Sequence, residues 1–294
     1  ENDNTIIDEL ALDYSILDEI EYKYPANDAY FGYMTRGCPN KCSFCAVPTL
    51  EPQYCHFKSI EQQLKDIDSR YGAKRNLLLM DNNVLASKNF NDIIDEIKRC
   101  GFYKGATYKP SNDYDVLFQS INNERESASR GDIIKMIEIY DNISEKLSEQ
   151  EQGEFYLKRE EYQLLYPVFA TAENIIAFDE IVRPYHDSQF KSFKRNRYVD
   201  FNQGIDARLI TDDKMKKLSE IAIRPLRIAF DHCEMKDIYI ESVKTAAKHG
   251  IKDLSNYLLY NYKDKPEDLY ERMRINIDLC EELNITIYSF PMKY

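Results

Sequence analysis

Three cysteines lie close together in the first part of the chain. Cys38, Cys42 and Cys45 form a C-x3-C-x2-C array within TRGCPNKCSFCAVP, residues 35–48. Thiolates this close on one loop can hold an iron–sulfur cluster, and a four-iron cluster is usually held by four cysteines. Three protein ligands leave one iron open, and an open metal position is typical of catalytic rather than structural sites. The array therefore predicts a [4Fe-4S] cluster with one exchangeable position.

Two other kinds of site stay open at this stage. A structural zinc site takes four Cys or His ligands, usually with a second pair further along the chain. The sequence has no second C-x2-C pair, although Cys55 and His56 can supply late ligands. An iron–sulfur electron-transfer protein is the other alternative, but such proteins usually saturate the cluster with a fourth cysteine.

The composition is that of a globular protein in a reducing compartment. The chain has 294 residues, of which 43% are hydrophobic and 31% charged, and it contains an odd number of cysteines, seven. We expect a cytoplasmic protein without a membrane-spanning segment. A net charge of -12 disfavours a nucleic-acid partner, which binds cations through its phosphates. The one basic stretch, KSFKRNR at 191–197 with Lys191 at its start, is predicted to be a solvated connector.

Strand-like and helix-like segments alternate along most of the chain. Helix start signals separate the apolar runs: a Ser59–Gln62 capping box, Thr211 as an N-cap and Pro266 in a first turn. Such alternation predicts parallel strands joined by right-handed crossovers. The predicted strands are 29–34, 76–80, 198–203, 226–230, 255–260 and 285–290.

Residues 103–197 interrupt this alternation and are too long for a plain connection. Apolar residues at helical spacing in 133–147 and 162–181 predict a mostly helical insertion, with the second helix ending near Pro184. Its role stays open between a decoration and a lid or substrate platform. Residues 1–27 are predicted to be a lead-in segment with a short helix around 15–20. Because the chain begins with Glu1, we expect it to be a piece of a longer protein.

Polar residues follow most of the predicted strands. Parallel sheets bind their ligands beyond the carboxyl ends of the strands, and the cysteine loop itself follows the first strand. We therefore expect one edge of the sheet to carry the site. The residues at the strand ends are Thr35, Arg36, Asp81, Asn82, Asn83, Asn202, Gln203, Asp206, Arg208, Asp231, Tyr260, Asn261, Tyr262, Met292 and Tyr294.

The cysteine array resembles the signature of the radical S-adenosylmethionine superfamily. The similarity includes Phe44 before the last cysteine, the TRGCP that leads in and the VP that follows. FNQGIDARL, LRIAFD and the closing YSFPMKY resemble members that often carry an N-terminal cobalamin-binding-type domain, methylthiotransferase relatives among them. The resemblance covers about residues 28–102 and 198–294 and leaves out 103–197.

The resemblance implies both a fold and an activity. The fold is α/β, an open partial (β/α)6 TIM-like barrel of parallel strands, here with the helical insertion. Cys38, Cys42 and Cys45 would hold the [4Fe-4S] cluster, and S-adenosylmethionine would chelate the open iron through its amino and carboxylate groups. Reductive cleavage then yields a 5′-deoxyadenosyl radical, with the electron coming from a donor such as flavodoxin or ferredoxin. The substrate stays unknown, and a cobalamin-binding-type domain, if present, would lie upstream of Glu1.

The resemblance also implies contacts for the cofactor. The family binds the amino group at the end of the second strand, where this chain has MDNN, so Asp81 and Asn82 are expected to accept from the ammonium. Arg208 is expected to bind the methionine carboxylate at two points, with a salt bridge to Asp206 or a helix-dipole contact as the alternatives. The other expected contacts, to the ribose and the adenine, are Asn202, Gln203, Asp206, Asp231, Phe44 and Ala46.

Overall fold

The structure, a computed structural model, describes residues 10–17, 28–110, 112–123, 128–190, 193–260 and 264–293. The chain divides into two compact units. The sheet unit comprises Glu1–Ile67, Lys74–Tyr108 and Arg195–Tyr294, and the helical unit comprises Asp68–Ala73 and Lys109–Lys194. The sequence predictions that concern 1–9, 18–27, Lys191, Asn261, Tyr262 and Tyr294 lie outside the described residues.

The described elements follow one another in a regular order. The strands are β1 (Ala29–Gly32), β2 (Asn76–Leu79), β3 (Thr107–Tyr108), β4 (Arg195–Asn196), β5 (Val199–Phe201), β6 (Leu226–Arg227), β7 (Asp253–Tyr260) and β8 (Thr286–Lys293). The helices are α1 (Val47–Leu50), α2 (Glu61–Tyr71), α3 (Phe90–Ile97), α4 (Asp113–Asn123), α5 (Arg130–Ser144), α6 (Glu149–Glu161), α7 (Ala172–Gln189), α8 (Asp212–Leu218), α9 (Lys236–Lys248) and α10 (Pro266–Leu283).

The sheet unit is an α/β structure with parallel strands. Strands β1, β2 and β5 pair in parallel, and so do β6, β7 and β8. Parallel bridges from Val199 to Ile223 and from Ile205 to Ile228 join the two sets beside β5 and β6. The six strands therefore succeed one another in the order β1-β2-β5-β6-β7-β8 in an open sheet. Parallel pairing and alternation with helices, predicted from the sequence, are confirmed.

Helices of the sheet unit bury the apolar faces that their sequence spacing predicts. In α3, Phe90, Ile93 and Ile97 are buried, consistent with one apolar stripe facing a core. The predicted start signals of two further helices are confirmed. Thr211 Oγ1 accepts a hydrogen bond from the Lys214 amide at 3.2 Å, and Pro266 occupies the first turn of α10.

The capping box predicted for α2 is wrong. Glu96, a buried residue of α3, supplies the acceptor instead: its Oε1 accepts from Ser59 Oγ at 2.9 Å and from the Ile60 amide at 2.8 Å. Gln62 is exposed and its amide group donates to Asp66. A carboxylate distant in sequence thus satisfies amides that the local motif was expected to satisfy.

The helical unit has a hydrophobic core of its own, to which α4, α5, α6 and α7 contribute. Its largest buried side chains include Tyr114, Tyr140, Phe155 and Phe178. The predicted mostly helical character of the insertion is confirmed. The predicted helix over 162–181 begins too early, because α7 starts at Ala172. It also ends too early, because α7 continues past Pro184 to Gln189.

The ends of the inserted segment meet in the sheet unit. Strands β3 and β4 pair antiparallel, with Thr107 opposite Asn196 and Tyr108 opposite Arg195. The basic stretch is only partly a solvated connector, because Arg197 donates to the carbonyl oxygens of Lys74, Arg75 and Gly101. No helix within the described ranges is long and apolar enough to cross a membrane.

Candidate functional site

The cysteine loop is fixed to the end of β2 by a buried carboxylate. Asp81 is 0% exposed, and it accepts from the Met34 amide at 3.1 Å, from Thr35 Oγ1 at 2.6 Å and from the Thr35 amide. Burial raises the pKa of Asp81 to about 6, against the opposing hydrogen bonds from Thr35 and Met34. The expectation that Asp81 faces a cofactor ammonium is therefore wrong. Its carboxylate positions the start of the cysteine loop.

A second carboxylate shapes the turn that precedes the first cysteine. Glu51 accepts from the Gly37 amide at 2.6 Å and from Asn82 Nδ2 at 3.1 Å, and it pairs with Arg36 at 2.7 Å. Gly37 has φ of +72°, and a Cβ there would lie 2.6 Å from the carbonyl oxygen of Gln53, so only glycine fits this turn. Asn82 is thereby oriented by Glu51 through its amide nitrogen.

The cysteines have neighbours from the carboxyl ends of three strands. Asn83, after β2, places Nδ2 3.6 Å from Cys38 Sγ. Arg208, after β5, lies close enough to Cys42 for the charge of its guanidinium to act on the thiol. Burial raises the pKa of the Cys42 thiol, Arg208 opposes that shift, and the charge of Asp231, after β6, adds to it. Residues that follow β2, β5 and β6 therefore lie near the cysteine loop, as expected for one edge of the sheet.

Arg208 is held in place by its neighbour. Its Nε and Nη2 donate to the two oxygens of Asp206 at 2.8 Å each, so the salt bridge that the sequence left as an alternative is present. Asn40, on the cysteine loop, donates to Asp206 Oδ2 at 2.7 Å. Burial raises the pKa of Asp206, but the hydrogen bonds from Arg208 and Asn40 outweigh it and hold that pKa below its usual value.

The remaining predicted residues are placed around the same edge. Phe44 packs edge-on against His232, with ring centroids 5.8 Å apart, next to Asp231. Burial raises the pKa of Asp231, and the charges of His232 and Arg208 oppose that shift. Asn202 directs Nδ2 toward Met80 Sδ at 3.7 Å. Gln203 and Ala46 are exposed.

Three free thiols on one loop are a donor set that a four-iron cluster with one open iron can use. Among the described residues, no group of three or more His, Cys, Asp or Glu side chains is arranged to hold one metal ion. A four-iron cluster makes a different demand, because each thiolate binds its own iron. Cys38, Cys42 and Cys45 are not in disulfides, the Asn83 amide donates to Cys38 Sγ at 3.6 Å, and the positive charge of Arg208 acts on Cys42. Hydrogen bonds of this kind stabilise thiolate charge and tune cluster potential.

Cys55 does not behave as a fourth ligand in this arrangement. Its backbone pairs with Arg36, which brings it near the loop, but its thiol points to the Phe57 carbonyl oxygen at 3.6 Å. His56 Nδ1 accepts from the Lys88 amide at 3.2 Å. The late ligands considered for zinc thus have partners of their own.

Sequence reasoning placed Asn83 at the edge of the sheet but gave it no role toward the cofactor. Asn83 is 2% exposed, and its Oδ1 has no hydrogen-bond partner in the described part of the chain. Buried polar atoms are nearly always paired, so an unpaired acceptor beside Cys38 fits a bound donor such as an ammonium group. The available signal in the sequence was its position two residues after Asp81. The sequence does not show in which direction each side chain of that turn points.

Comparisons with known proteins assign no family to the chain. No protein-family model matches it, and no curated protein is significantly similar to it in sequence.

Proposed function

We propose that this chain is a radical S-adenosylmethionine enzyme. Cys38, Cys42 and Cys45 hold a [4Fe-4S] cluster, and S-adenosylmethionine binds at its open iron. When bound, the cluster supplies the electron that cleaves S-adenosylmethionine reductively to a 5′-deoxyadenosyl radical. The observation that carries the proposal is the three-cysteine loop at the carboxyl edge of a parallel sheet, in contact with side chains that follow β2 and β5.

The proposed architecture is an open partial (β/α)6 barrel. Its support is the order of six parallel strands, β1-β2-β5-β6-β7-β8, with helices in the connections. Right-handed crossovers between parallel strands place helices on one face and gather the strand ends at one edge. In this arrangement the site residues share that edge.

Each of the chain's residues then has a definable task toward the methionine end of the cofactor. Asn83 Oδ1, buried and unpaired in the described residues, accepts from the ammonium. Arg208 binds the carboxylate through its guanidinium, while Asp206 keeps that guanidinium oriented. Asp81 holds the loop that carries Cys38.

The nucleoside end has weaker anchors. Phe44, packed against His232, forms an aromatic border for the adenine. The side chains proposed to face the ribose hydroxyls or the adenine edge are Asn202, Gln203, Asp231 and Ala46. The substrate of the radical stays undefined, because hydrogen abstraction, methylation and methylthiolation share one core.

The proposal is tested by anaerobic reconstitution with iron and sulfide, followed by S-adenosylmethionine and dithionite in place of a flavodoxin or ferredoxin. We expect about four irons per chain and formation of 5′-deoxyadenosine. Cys42→Ala should abolish the brown chromophore, and the matched Cys55→Ala should retain it. A cluster without cleavage of the cofactor would indicate an electron-transfer protein, and zinc without sulfide would indicate an interaction module.

A further inference from the structure

A cavity lies at the end of the parallel strands opposite the cysteine loop. It has a volume of about 420 Å³ and is formed by the connections that lead into β5, β6 and β7. Tyr198, Arg224 and Lys252 line it from just before these strands, and Lys104 lines it from the segment after α3. Because parallel strands share one direction, this pocket is at the amino edge, whereas the cysteine loop is at the carboxyl edge.

The pocket is basic in an acidic chain. Four cationic residues line it, Lys104, Arg197, Arg224 and Lys252, with Asp253 as the one acidic lining residue in the described part of the chain. Arg224 pairs with Asp253 at 3.2 Å. Clefts lined by one sign of charge concentrate ions of the other sign. With a net charge of -12 for the whole chain, a cationic pocket is a local exception that favours an anion.

Two of these cations have no anionic partner. Neither Lys104 nor Lys252 forms an ion pair with any residue that the structure describes, and both are exposed. The Lys104 ammonium lies over Gly250, 3.9 Å from where a Cβ would stand at that residue. Other lysines of the sheet unit are paired with carboxylates, as Lys98 is with Glu220 and Lys217 is with Asp95. Lys104 and Lys252 are therefore available to a ligand.

Tyr198 adds a hydrogen-bond donor. Its hydroxyl oxygen accepts from Arg224 Nη1 at 2.8 Å and from Asn196 Nδ2 at 3.3 Å, which uses both lone pairs. Its proton then has no acceptor among the described residues and is free to donate into the pocket. The guanidinium groups of Arg75 and Arg224 lie 5.9 Å and 5.0 Å from its ring centroid. The Asn196 hydrogen bond and these charges lower the pKa of Tyr198, against burial.

Part of the remaining lining is apolar, beside the polar residues Asn196 and Ser219. Ile221 and Ile251, both buried, and Ile223 form part of the wall. Pockets of about 300–1,000 Å³ with an apolar wall and a few polar groups are typical of small-molecule sites. A bare inorganic anion would use the cations and the Tyr198 proton but would leave the partly exposed Ile223 without a contact.

We propose that the amino-edge pocket binds a phosphorylated small molecule of mononucleotide size. Its phosphate contacts Lys104, Lys252 and the Tyr198 hydroxyl, and its organic part lies against Ile221, Ile223 and Ile251. A phosphate suits the site because its three acceptor oxygens can meet donors that approach from several strand connections at once. The site is separate from the cysteine loop and requires neither a cluster nor S-adenosylmethionine.

Calorimetric titration of the chain without a cluster tests the proposal, with uridine 5′-monophosphate, uridine and inorganic phosphate as probes. A pyrimidine is chosen so that an adenine site at the other edge does not contribute. We expect the nucleotide to bind about tenfold or more tightly than either uridine or phosphate, and to weaken as salt is added. The Lys104→Gln/Lys252→Gln double variant should lose about tenfold in affinity or more, and Tyr198→Phe several-fold, about one lost hydrogen bond.

The matched control is Lys65→Gln/Lys236→Gln, which removes two lysines outside the pocket that pair with Glu61 and Glu271. Its affinity for the nucleotide should equal that of the unmodified chain. Equal affinity for nucleotide and uridine overturns the phosphate assignment. Equal affinity for nucleotide and inorganic phosphate overturns the role of the apolar wall. An unchanged affinity in the Lys104/Lys252 variant, or no binding of any probe, overturns the site.

Discussion

At the scale of single residues, Asn83 is where local stability and ligand binding make opposite demands. Its Oδ1 is buried without a partner in the described residues, and its Nδ2 faces Cys38 Sγ. An unpaired buried acceptor costs about 1–3 kcal/mol of folding free energy. An acceptor with such a cost can be kept in a protein where a bound ligand supplies the missing hydrogen-bond donor. The residue is therefore better explained by binding than by stability.

We predict that Asn83→Leu weakens S-adenosylmethionine binding by about 1.5–3 kcal/mol, the range for a hydrogen bond to a charged group. Leucine is similar in size but cannot accept a hydrogen bond. The free energy of unfolding of the chain without a cluster should not fall, because the substitution removes an unpaired acceptor. Equilibrium binding to the reconstituted protein and urea unfolding provide the two measurements.

The control for this variant is Asn142→Leu, an exposed position in the helical unit, which should leave binding unchanged. Iron content must be measured alongside, because Asn83 also contacts Cys38. If Asn83→Leu keeps its cluster and its full affinity for S-adenosylmethionine, the ammonium has another acceptor.

The sequence predicted that the cysteine loop lies at the carboxyl edge of the sheet. It did not predict that the polar residues of MDNN make different contacts. Three consecutive polar residues follow β2, and each is used differently. Asp81 turns inward to Thr35, Asn82 meets Glu51, and Asn83 meets Cys38. The backbone turn decides these directions, and its geometry depends on the packing of the cysteine loop against β2. The spacing of residues in the sequence does not predict that packing.

At the scale of elements, the titration of Asp81 links the cysteine loop to pH. Its pKa in the folded chain is about 6, against an ordinary 3.8, mainly because of burial. A raised pKa means that the folded state holds the proton more tightly than the unfolded chain does. The contribution of this group to stability is therefore full below about pH 4 and is lost as pH rises through about 6.

We predict that Asp81→Asn flattens the pH dependence of stability, because asparagine does not titrate. From about pH 4 to pH 7, the free energy of unfolding of the variant should rise relative to the unmodified chain by up to about 3 kcal/mol. Urea unfolding of both chains without a cluster, at several pH values in this range, measures the difference. If the free energy of unfolding depends on pH in the same way in both chains, the titration of Asp81 does not cause that dependence.

The start of α2 depends on a contact between elements that its own sequence does not contain. We predict that Glu96→Ala lowers the free energy of unfolding by about 1–3 kcal/mol, because the substitution leaves Ser59 Oγ and the Ile60 amide without an acceptor. Gln62→Ala is the matched control and should change it by less than about 0.5 kcal/mol, as exposed substitutions usually do. Urea unfolding of both variants measures the two changes in the free energy of unfolding. Equal effects at the two positions would support the capping box that the sequence predicted.

These elements also show why strands and helices were predicted better than their ends. Buried runs such as the one in β2 and the apolar stripe of α3 are recorded in the sequence as periodic patterns. The end of α7 is not, because a proline usually ends a helix and Pro184 does not end this one. Phe178 and Val182 belong to the core of the helical unit before that proline, and Tyr185 packs against the same core after it.

At the scale of the whole molecule, the chain combines an open parallel sheet with a separate helical unit. Strand alternation predicted the first, and the length of the interruption predicted the second. The inserted part of the compact helical unit spans Lys109–Lys194, slightly less than the predicted 103–197, because β3 and β4 close its ends within the sheet unit. That closure involves residues far apart in sequence, so no local pattern could place it.

This closure makes the division of labour between the units testable. We predict that a variant with 109–194 replaced by an Asn-Gly turn still folds and still forms 5′-deoxyadenosine. Tyr108 and Arg195 are directly opposite in the β3–β4 pair, and a two-residue Asn-Gly loop is the favoured connection for such an antiparallel pair. Cys38, Cys42, Cys45 and Asn83 all lie in the sheet unit.

The measurement is anaerobic reconstitution followed by chromatographic detection of 5′-deoxyadenosine, with circular dichroism as the check on folding. The helical unit has a buried core of its own, and the strands that carry the site residues belong to the sheet unit. Cofactor cleavage without substrate should therefore continue at a rate similar to that of the full chain, while turnover of a substrate that contacts the insertion is lost. A folded variant that binds its cluster but no longer cleaves S-adenosylmethionine would place the helical unit within the radical-generating machinery.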